Sequence, residues 1–496
     1  MFEKQQTPPN SGLGKIIFKN AAFVTMGNFA LKVVHFLFNV YVIRELGDGR
    51  FGQYSTVLAF TGLFSIFAEL GMTQYAMREI ARDRTKARFY LWNLIAIRSI
   101  LAVVGVIGIT LAGRAVGYSD ELVLGIFLHT TGYLLSAVAI PLEAVLNGNE
   151  RLDYVTANRV IAQLAIVILG SIFLFNGFGY IWLLIANLIS ILPTIAIGIW
   201  AIKRHRLIDF SIQINPRVWP ALVKAGIPFG VISLALTIAF SIDTVMLSMW
   251  VSDSEVGWYN VAYNLVRSMM LFFSGFSIAI VPSLSRTFVR DTNSVFNWYQ
   301  RSVKFIMLIS LPIAFGGLVV ADQLIEFLYT PEFIPAALGL KILIWDVPLL
   351  MFNGFNGNMT TVIGAERSAA RIYTINAVAN VVLNAYAIPR YGYIGAAIVT
   401  VVTDLIGAIQ FHFLMRQRLA LPDMKGALFR VLVASAIMAG VVFVVGNLHV
   451  IGLILIGGVV YAGLVLAFKV LDNSEMDLIF RLARRLGRSL QARGVS

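Results

Sequence analysis

The chain has 496 residues, no cysteine, 58% hydrophobic side chains, 13% charged ones and a formal charge of +13. Its mean hydropathy of +0.80 exceeds that of a soluble globule, whose apolar share is about 45–50%; composition therefore describes a polytopic membrane protein, and the lack of cysteine excludes disulfides and thiolate chemistry. The positive charge does not mark a nucleic-acid face, because the cations sit between apolar spans at alternate loops rather than in one patch.

In chain order, the N-terminal stretch MFEKQQTPPNSGLGK is polar for too long to be a signal peptide and runs into a full span. Hydropathy predicts about 14 spans of roughly the 20 residues that cross a 30 Å hydrocarbon core, at roughly 18–44, 51–76, 89–113, 121–146, 157–176, 179–202, 220–249, 256–284, 302–327, 337–363, 369–388, 392–415, 427–446 and 449–470. The runs are continuous rather than alternating, which excludes β-barrel strands. The expected fold class is an all-α polytopic membrane protein.

The loops set orientation, since short cytoplasmic loops retain Lys and Arg. The N-terminal tail, 77–88, 147–159, 203–224, 285–304, 364–371, 416–430 and the C-terminal tail hold about 31 of the 39 Lys and Arg residues, against about five (Arg44, Arg50, Arg114, Lys341, Arg390) in the opposite loops. Both termini are accordingly expected in the cytoplasm.

The stretch from Tyr41 to Arg88 reads as half of a membrane hairpin, and it recurs at an offset of about 205 residues: Lys19 falls on Lys224, Asp48 on Asp253, Gly52 on Gly257 and Tyr54 on Tyr259. Six spans precede the basic linker 203–219 with Lys203, Arg204, His205 and Arg206, so the second copy enters the membrane in the same sense as the first. The expected organisation is an N-terminal six-helix lobe at 1–202, the cytoplasmic linker at 203–219, a second six-helix lobe at 220–417, and two extra helices with a basic tail at 418–496. In that tail Leu478, Ile479, Leu482, Leu486 and Leu490 alternate with Arg481, Arg484, Arg485 and Arg488, the pattern of an amphipathic helix on an anionic leaflet or of a solvated helix.

The turn LGDGRFGQYS running into FAELGMTQYAMREIAR, with two parallel six-helix copies, resembles the oligosaccharide flippases of the polysaccharide transporter family, in the multidrug/oligosaccharidyl-lipid/polysaccharide exporter superfamily. The resemblance implies two lobes around a central cavity and movement of a polyprenyl-diphosphate-linked oligosaccharide from the cytoplasmic to the outer face. It further implies a multi-pass protein of a prokaryotic plasma membrane, with the lipid-linked oligosaccharide, membrane lipids, H⁺ or Na⁺ and the polysaccharide assembly machinery as partners, and no cofactor. One scaffold hosts several cargoes, so a cation-coupled multidrug antiporter and a lipid II flippase stay open.

An ionisable side chain near the bilayer centre costs about 2.5–3.5 kcal/mol on insertion scales, so each one is a functional candidate. At ~1.5 Å of rise per residue, Lys32, Arg98 and Arg267 fall near mid-membrane. They are expected to hold an anionic diphosphate, whose oxygens an Arg fork meets bidentately, with His35 on the same helix face as Lys32. Relatives use cations on the first and eighth helices in this way, which favours Lys32 and Arg267. The alternatives are buried ion pairs, Arg98 with Glu69 and Arg267 with Asp243. Asp404, Asp243 and Asp346 are candidate coupling carboxylates, Asp404 first because it is deepest; Asn376, Asn380 and Asn384 form a stripe one turn apart that is either ion-binding or interhelical glue. His129 and His412 read as packing residues. Gly27, Pro228, Gly230, Pro282, Pro312 and Pro348 are expected bending points or plain kinks.

The enzyme-class rival is a membrane glycosyltransferase, polymerase or ligase, which needs acid/base groups on a sizeable outer loop. The longest such loop, around Asp322–Lys341, offers only Asp322, Glu326 and Glu332, and no metal-ligand spacing, phosphate-cradling loop or nucleophile elbow occurs. A transporter is expected, not an enzyme.

Overall fold

The computed structural model describes residues 11–288, 292–419, 425–446, 448–472 and 475–476. The tail pattern from Leu478 onward lies outside the described residues, and so do the side chains of Gly27, Pro228 and Pro282. Those described are overwhelmingly helical and contain no strand, as an apolar chain must be if its backbone groups are to bond to one another in lipid.

The first helix, α1 (Ser11–Phe64), is two arms folded across Gly47, at φ 71 and ψ 174. Positive φ suits glycine, and Asp48 closes the turn by accepting the Gly49 N–H at 2.7 Å. The second arm is shorter than the hydropathy run suggests. It ends at Phe64, a 3₁₀ turn covers Ser65–Ala68, and Leu70 (φ 49) and Gly71 (φ 70) reverse the backbone. The short α2 (Met72–Arg82) that follows buries Met72, Thr73, Ala76 and Ile80 on one face, the spacing of an amphipathic helix rather than the end of a span.

Four long helices come next, α3 (Ala87–Val116), α4 (Asp120–Gly148), α5 (Leu152–Phe175) and α6 (Tyr180–Arg204), then α7 (Trp219–Trp250), α8 (Asp253–Phe288) and α9 (Thr292–Leu328). The expected span 337–363 is instead two helices, α10 (Ala336–Leu343) and α11 (Asp346–Val362), bent by 43°. Pro348 sits in the first turn of α11, where a missing N–H costs nothing. Helix α12 (Glu366–Arg418) has 53 residues, and Gly392 (φ 56, ψ −142) divides it. Unbroken, it would be ~80 Å long, more than twice a hydrocarbon core of about 30 Å, so its two arms serve as two spans. The chain ends with α13 (Lys425–Val444) and α14 (Val450–Ala467). Among the described residues 8 helices are long and apolar enough to cross a membrane, or up to 10 if each of two bent pairs is one span.

The residues pack as two compact units. The first is Met1–Asn264, Tyr329–Phe333 and Tyr373–Val399; the second is Leu265–Leu328, Ile334–Ile372 and Thr400–Ser496. The lobes at 1–202 and 220–417 are defined by sequence offset and these units by packing, so one division does not test the other. In the first unit a core at the end carrying the basic loops joins Met72, Ala76 and Ile80 to Leu91 and Leu94 of α3, Leu142 and Val145 of α4, Ile202 of α6 and Leu222 of α7. In the second, Val320 of α9 packs with Val442 of α13 and Val450 and Leu453 of α14.

The linker after α6 is fastened to α3. Buried Asn93 donates to the Phe89 and Gln213 carbonyls at 2.8 and 3.0 Å and accepts from the Asn215 N–H and the Trp219 indole at 2.9 and 3.1 Å. Both faces of one amide are thus used to pin the first residue of α7. On the linker, hydrogen bonds from Ser211, with Arg88 nearby, hold the Asp209 carboxyl below its ordinary range.

Candidate functional site

A buried polar cluster around a predicted site residue lies in the first unit. Asp243, only 3% exposed in α7, accepts from the Tyr259 hydroxyl of α8 at 2.8 Å and from the Asn384 amide of α12 at 2.7 Å. The same Asn384 amide donates to Asn380 Oδ1 at 3.1 Å, while the buried Asn384 Oδ1 accepts no hydrogen bond. Asn380 and Asn384 share a face because they are one turn apart; Asn376, a turn earlier, is half-buried.

Chemically this is a carboxylate held by a phenol hydroxyl and a side-chain amide, with a second amide oxygen beyond. The Asn384 N–H₂ bridges two oxygens where a proton or a small hard cation would compete for them. Among the described residues no group of three or more His, Cys, Asp or Glu converges as a metal cage, so an ion here would have one carboxylate and neutral oxygens, a donor set suited to Na⁺ or H⁺.

Sequence reasoning named Asp243, Asn380 and Asn384 and passed over Tyr259 as a site residue. The signal lay in the repeat. Tyr259 is the offset mate of Tyr54, while the position that mates with Asp243 is Phe38, whose ring packs beside Gly170 of α5. The tyrosine is duplicated and the acid is not, which confines the carboxylate to the second copy.

The other candidate acids belong to the second unit. Asp346 is fully buried in the first turn of α11, where a helix N-terminus favours negative charge. Asp404 is half-buried on α12, and its carbonyl accepts from the Asn353 amide at 2.9 Å.

The candidate cations divide. Lys32 and His35 are exposed on one face of α1, and His35 Nδ1 lies 3.3 Å from the Gln163 amide of α5. Arg267 is exposed on α8 in the second unit. Arg98 is 3% exposed, donates to Thr73 Oγ1 at 3.1 Å and lies 3.9 Å from Glu69, so the ion pair offered as its alternative is present. His129 meets Thr61 Oγ1 at 2.8 Å through Nδ1, a packing role within the bundle.

Comparison with known proteins decides the family. The family model described as polysaccharide biosynthesis protein matches residues 17–288, more than half of the chain. The chain belongs to the polysaccharide biosynthesis protein family. A second family model, MatE, matches residues 228–386. A probable low-salt glycan biosynthesis flippase of Haloferax volcanii is 23% identical, over 90% of this chain and 95% of its own. A probable flippase of the same organism is also 23% identical, over 84% of this chain and 87% of its own. Among solved structures, lipid II flippase MurJ in an inward closed conformation superposes with a TM-score of 0.75 at 17% identity, over 92% of this chain and 100% of that one. This member of the polysaccharide biosynthesis protein family is therefore a multi-pass membrane transporter of the multidrug/oligosaccharidyl-lipid/polysaccharide exporter superfamily, not an enzyme.

Proposed function

We propose that the protein is a flippase that moves a polyprenyl-diphosphate-linked oligosaccharide from the cytoplasmic to the outer face of a prokaryotic plasma membrane by alternating access, with both termini in the cytoplasm. The observation that carries this reading is the placement of exposed cations, Lys32 with His35 on α1 and Arg267 on α8, in spans of a chain of this family. An ionisable side chain within a span is costly, so each such cation is a functional candidate, and a lipid diphosphate is the anion such a carrier meets. An antiporter for cationic drugs would place the opposite charge there. Arg98, buried beside Thr73 and Glu69, supports the frame rather than the cargo.

For the driving ion we place Asp243 ahead of Asp404 and Asp346, because Asp243 has Asn380, Asn384 and Tyr259 gathered about its carboxylate. Burial favours a shared proton or a bound Na⁺ over a bare charge.

The cargo class is tested in vesicles that present the same oligosaccharide on a polyprenyl diphosphate and on an uncharged polyprenyl carrier. The expected result is protein-dependent flipping of the diphosphate form alone. Equal flipping of both forms, or of neither, contradicts the reading.

A further inference from the structure

The two helices that gather the ion cluster also leave a groove between them. Leu234 and Ile238 of α7, one turn apart and so on one face, line it together with Ala377, Val378, Val381 and Val382 of α12, and it encloses about 340 Å³. That is the size of a small-molecule site, about 300–1,000 Å³. Leu234, Ile238, Ala377 and Val381 are half-buried and form its floor, while Val378 and Val382 stay 58% and 63% exposed at its rim. The lining holds one hydroxyl, on Thr374, and no charge. All of these residues lie in the first unit.

The apolar lining lies roughly 15–30 Å along α7 and α12 from their first residues, at ~1.5 Å of rise per residue. At that depth in a hydrocarbon core of about 30 Å, what fills the groove is a hydrocarbon chain. Lipid tails are as apolar as leucine, so no hydrophobic force draws a chain out of the bilayer into a groove, and the occupant is selected by packing. Three valines and an isoleucine stud the walls with branched methyl groups, and Ala377 sets a notch among them. A straight acyl chain bridges such a notch, whereas a methyl-branched chain places a side group in it.

Two neighbours narrow the occupant further. Lys224, exposed on α7, precedes Leu234 by about 15 Å of helix, at the end that the basic loops mark as cytoplasmic. An anionic head followed by a long branched apolar chain matches that order of charge and hydrocarbon. On the other wall, Asn380 and Asn384 each follow a floor residue, Ala377 and Val381, by less than a turn, and Asn384 donates to Asp243 across the helix pair. A chain seated between α7 and α12 therefore bears on the bond that joins them, which is where carrier and ion can be coupled. We propose that this groove is a binding site for the polyprenyl chain of the cargo, held beside the ion cluster while the headgroup crosses. The assignment rests on the flippase reading above and adds where the lipid carrier is recognised.

The absence of cysteine lets one fluorophore be placed at a time. Ile375→Cys carries it beside the rim, at an exposed position of α12, and Val459→Cys carries it on α14, 74% exposed, as the control. Each labelled full-length protein is reconstituted in vesicles whose phospholipids have brominated acyl chains, which quench the probe, and is titrated with polyprenyl diphosphate or with an unbranched alkyl diphosphate of equal length. The expected result is saturable relief of quenching at position 375 by polyprenyl diphosphate, at a concentration at least tenfold lower than the unbranched compound needs, and no relief at position 459. Quenching at position 375 that polyprenyl diphosphate leaves unchanged gives the groove to a phospholipid chain and overturns the proposal. Equal relief at both positions, or by both diphosphates, overturns it too. Ala377→Trp, which fills the notch, is expected to melt like the wild type, to lose the relief at position 375 and to flip polyprenyl-diphosphate oligosaccharide at least tenfold more slowly; a folded A377W protein that flips at the wild-type rate overturns the proposal. If A377W does not fold, the quenching titration decides alone. A wild type that flips no oligosaccharide while polyprenyl diphosphate still relieves quenching at position 375 upholds the groove and counts against the flippase reading.

Discussion

At the scale of the residue, one carboxylate and its neighbours carry the proposed ion chemistry. Asp243 keeps its place because Tyr259 and Asn384 donate to it, and Asn384 is fixed in turn by Asn380. Each neutral bond is worth about 0.5–1.5 kcal/mol net, so the cluster can exchange a hydrogen bond for an ion without unfolding. Replacing Asp243 by Asn keeps the shape and removes the charge. D243N is expected to retain expression and thermal stability while its flipping rate loses dependence on the H⁺ or Na⁺ gradient, a loss of roughly tenfold or more in the gradient response. A D243N protein with an undiminished response would move the ion to another acid. The acids and the Asn stripe were legible from their rarity in lipid; their grouping was not, because three separate helices supply it. Depth along a helix ranked Asp404 first and says nothing of which side chains surround a carboxylate.

At the scale of the element, hydropathy found the apolar runs and missed where the backbone turns inside them. The run 51–76 reads as one apolar span, yet its helix stops at Phe64, and Leu70 and Gly71 beyond it take positive φ. Leucine carries no sequence warning of that conformation. The reason for the break is tertiary. A Cβ on Gly71 would overlap the Gly226 carbonyl and the Gly230 N–H of α7, and Gly226 in turn faces the Leu70 carbonyl. Gly230, read from sequence as a bending point, serves here as a place for close backbone approach. Gly117 also has positive φ, at +92, but nothing within 4 Å of a Cβ. The two glycines separate strain from contact. Gly117→Ala should cost about 1 kcal/mol from φ alone. Gly71→Ala adds overpacking of typically 1–3 kcal/mol, read as the larger drop in thermal midpoint in detergent. Equal drops would remove the crossing as the cause of the break.

At the scale of the whole molecule, hydropathy gave the all-α membrane class and the resemblance of the LGDGRFGQYS turn gave the family, and both stand. The packing units escaped both, because α12 gives Tyr373–Val399 to one unit and the rest to the other, and no hydropathy profile records which neighbour a helix chooses. The central claim is that cations within the spans carry an anionic headgroup, and flipping of polyprenyl-diphosphate oligosaccharide by Lys32→Ala/Arg267→Ala tests it most directly. The expected result is a protein that inserts, folds and melts like the wild type but flips at least tenfold more slowly, with Arg98→Ala instead losing stability through the stranded Glu69. A well-folded double variant that flips at the wild-type rate would contradict the claim.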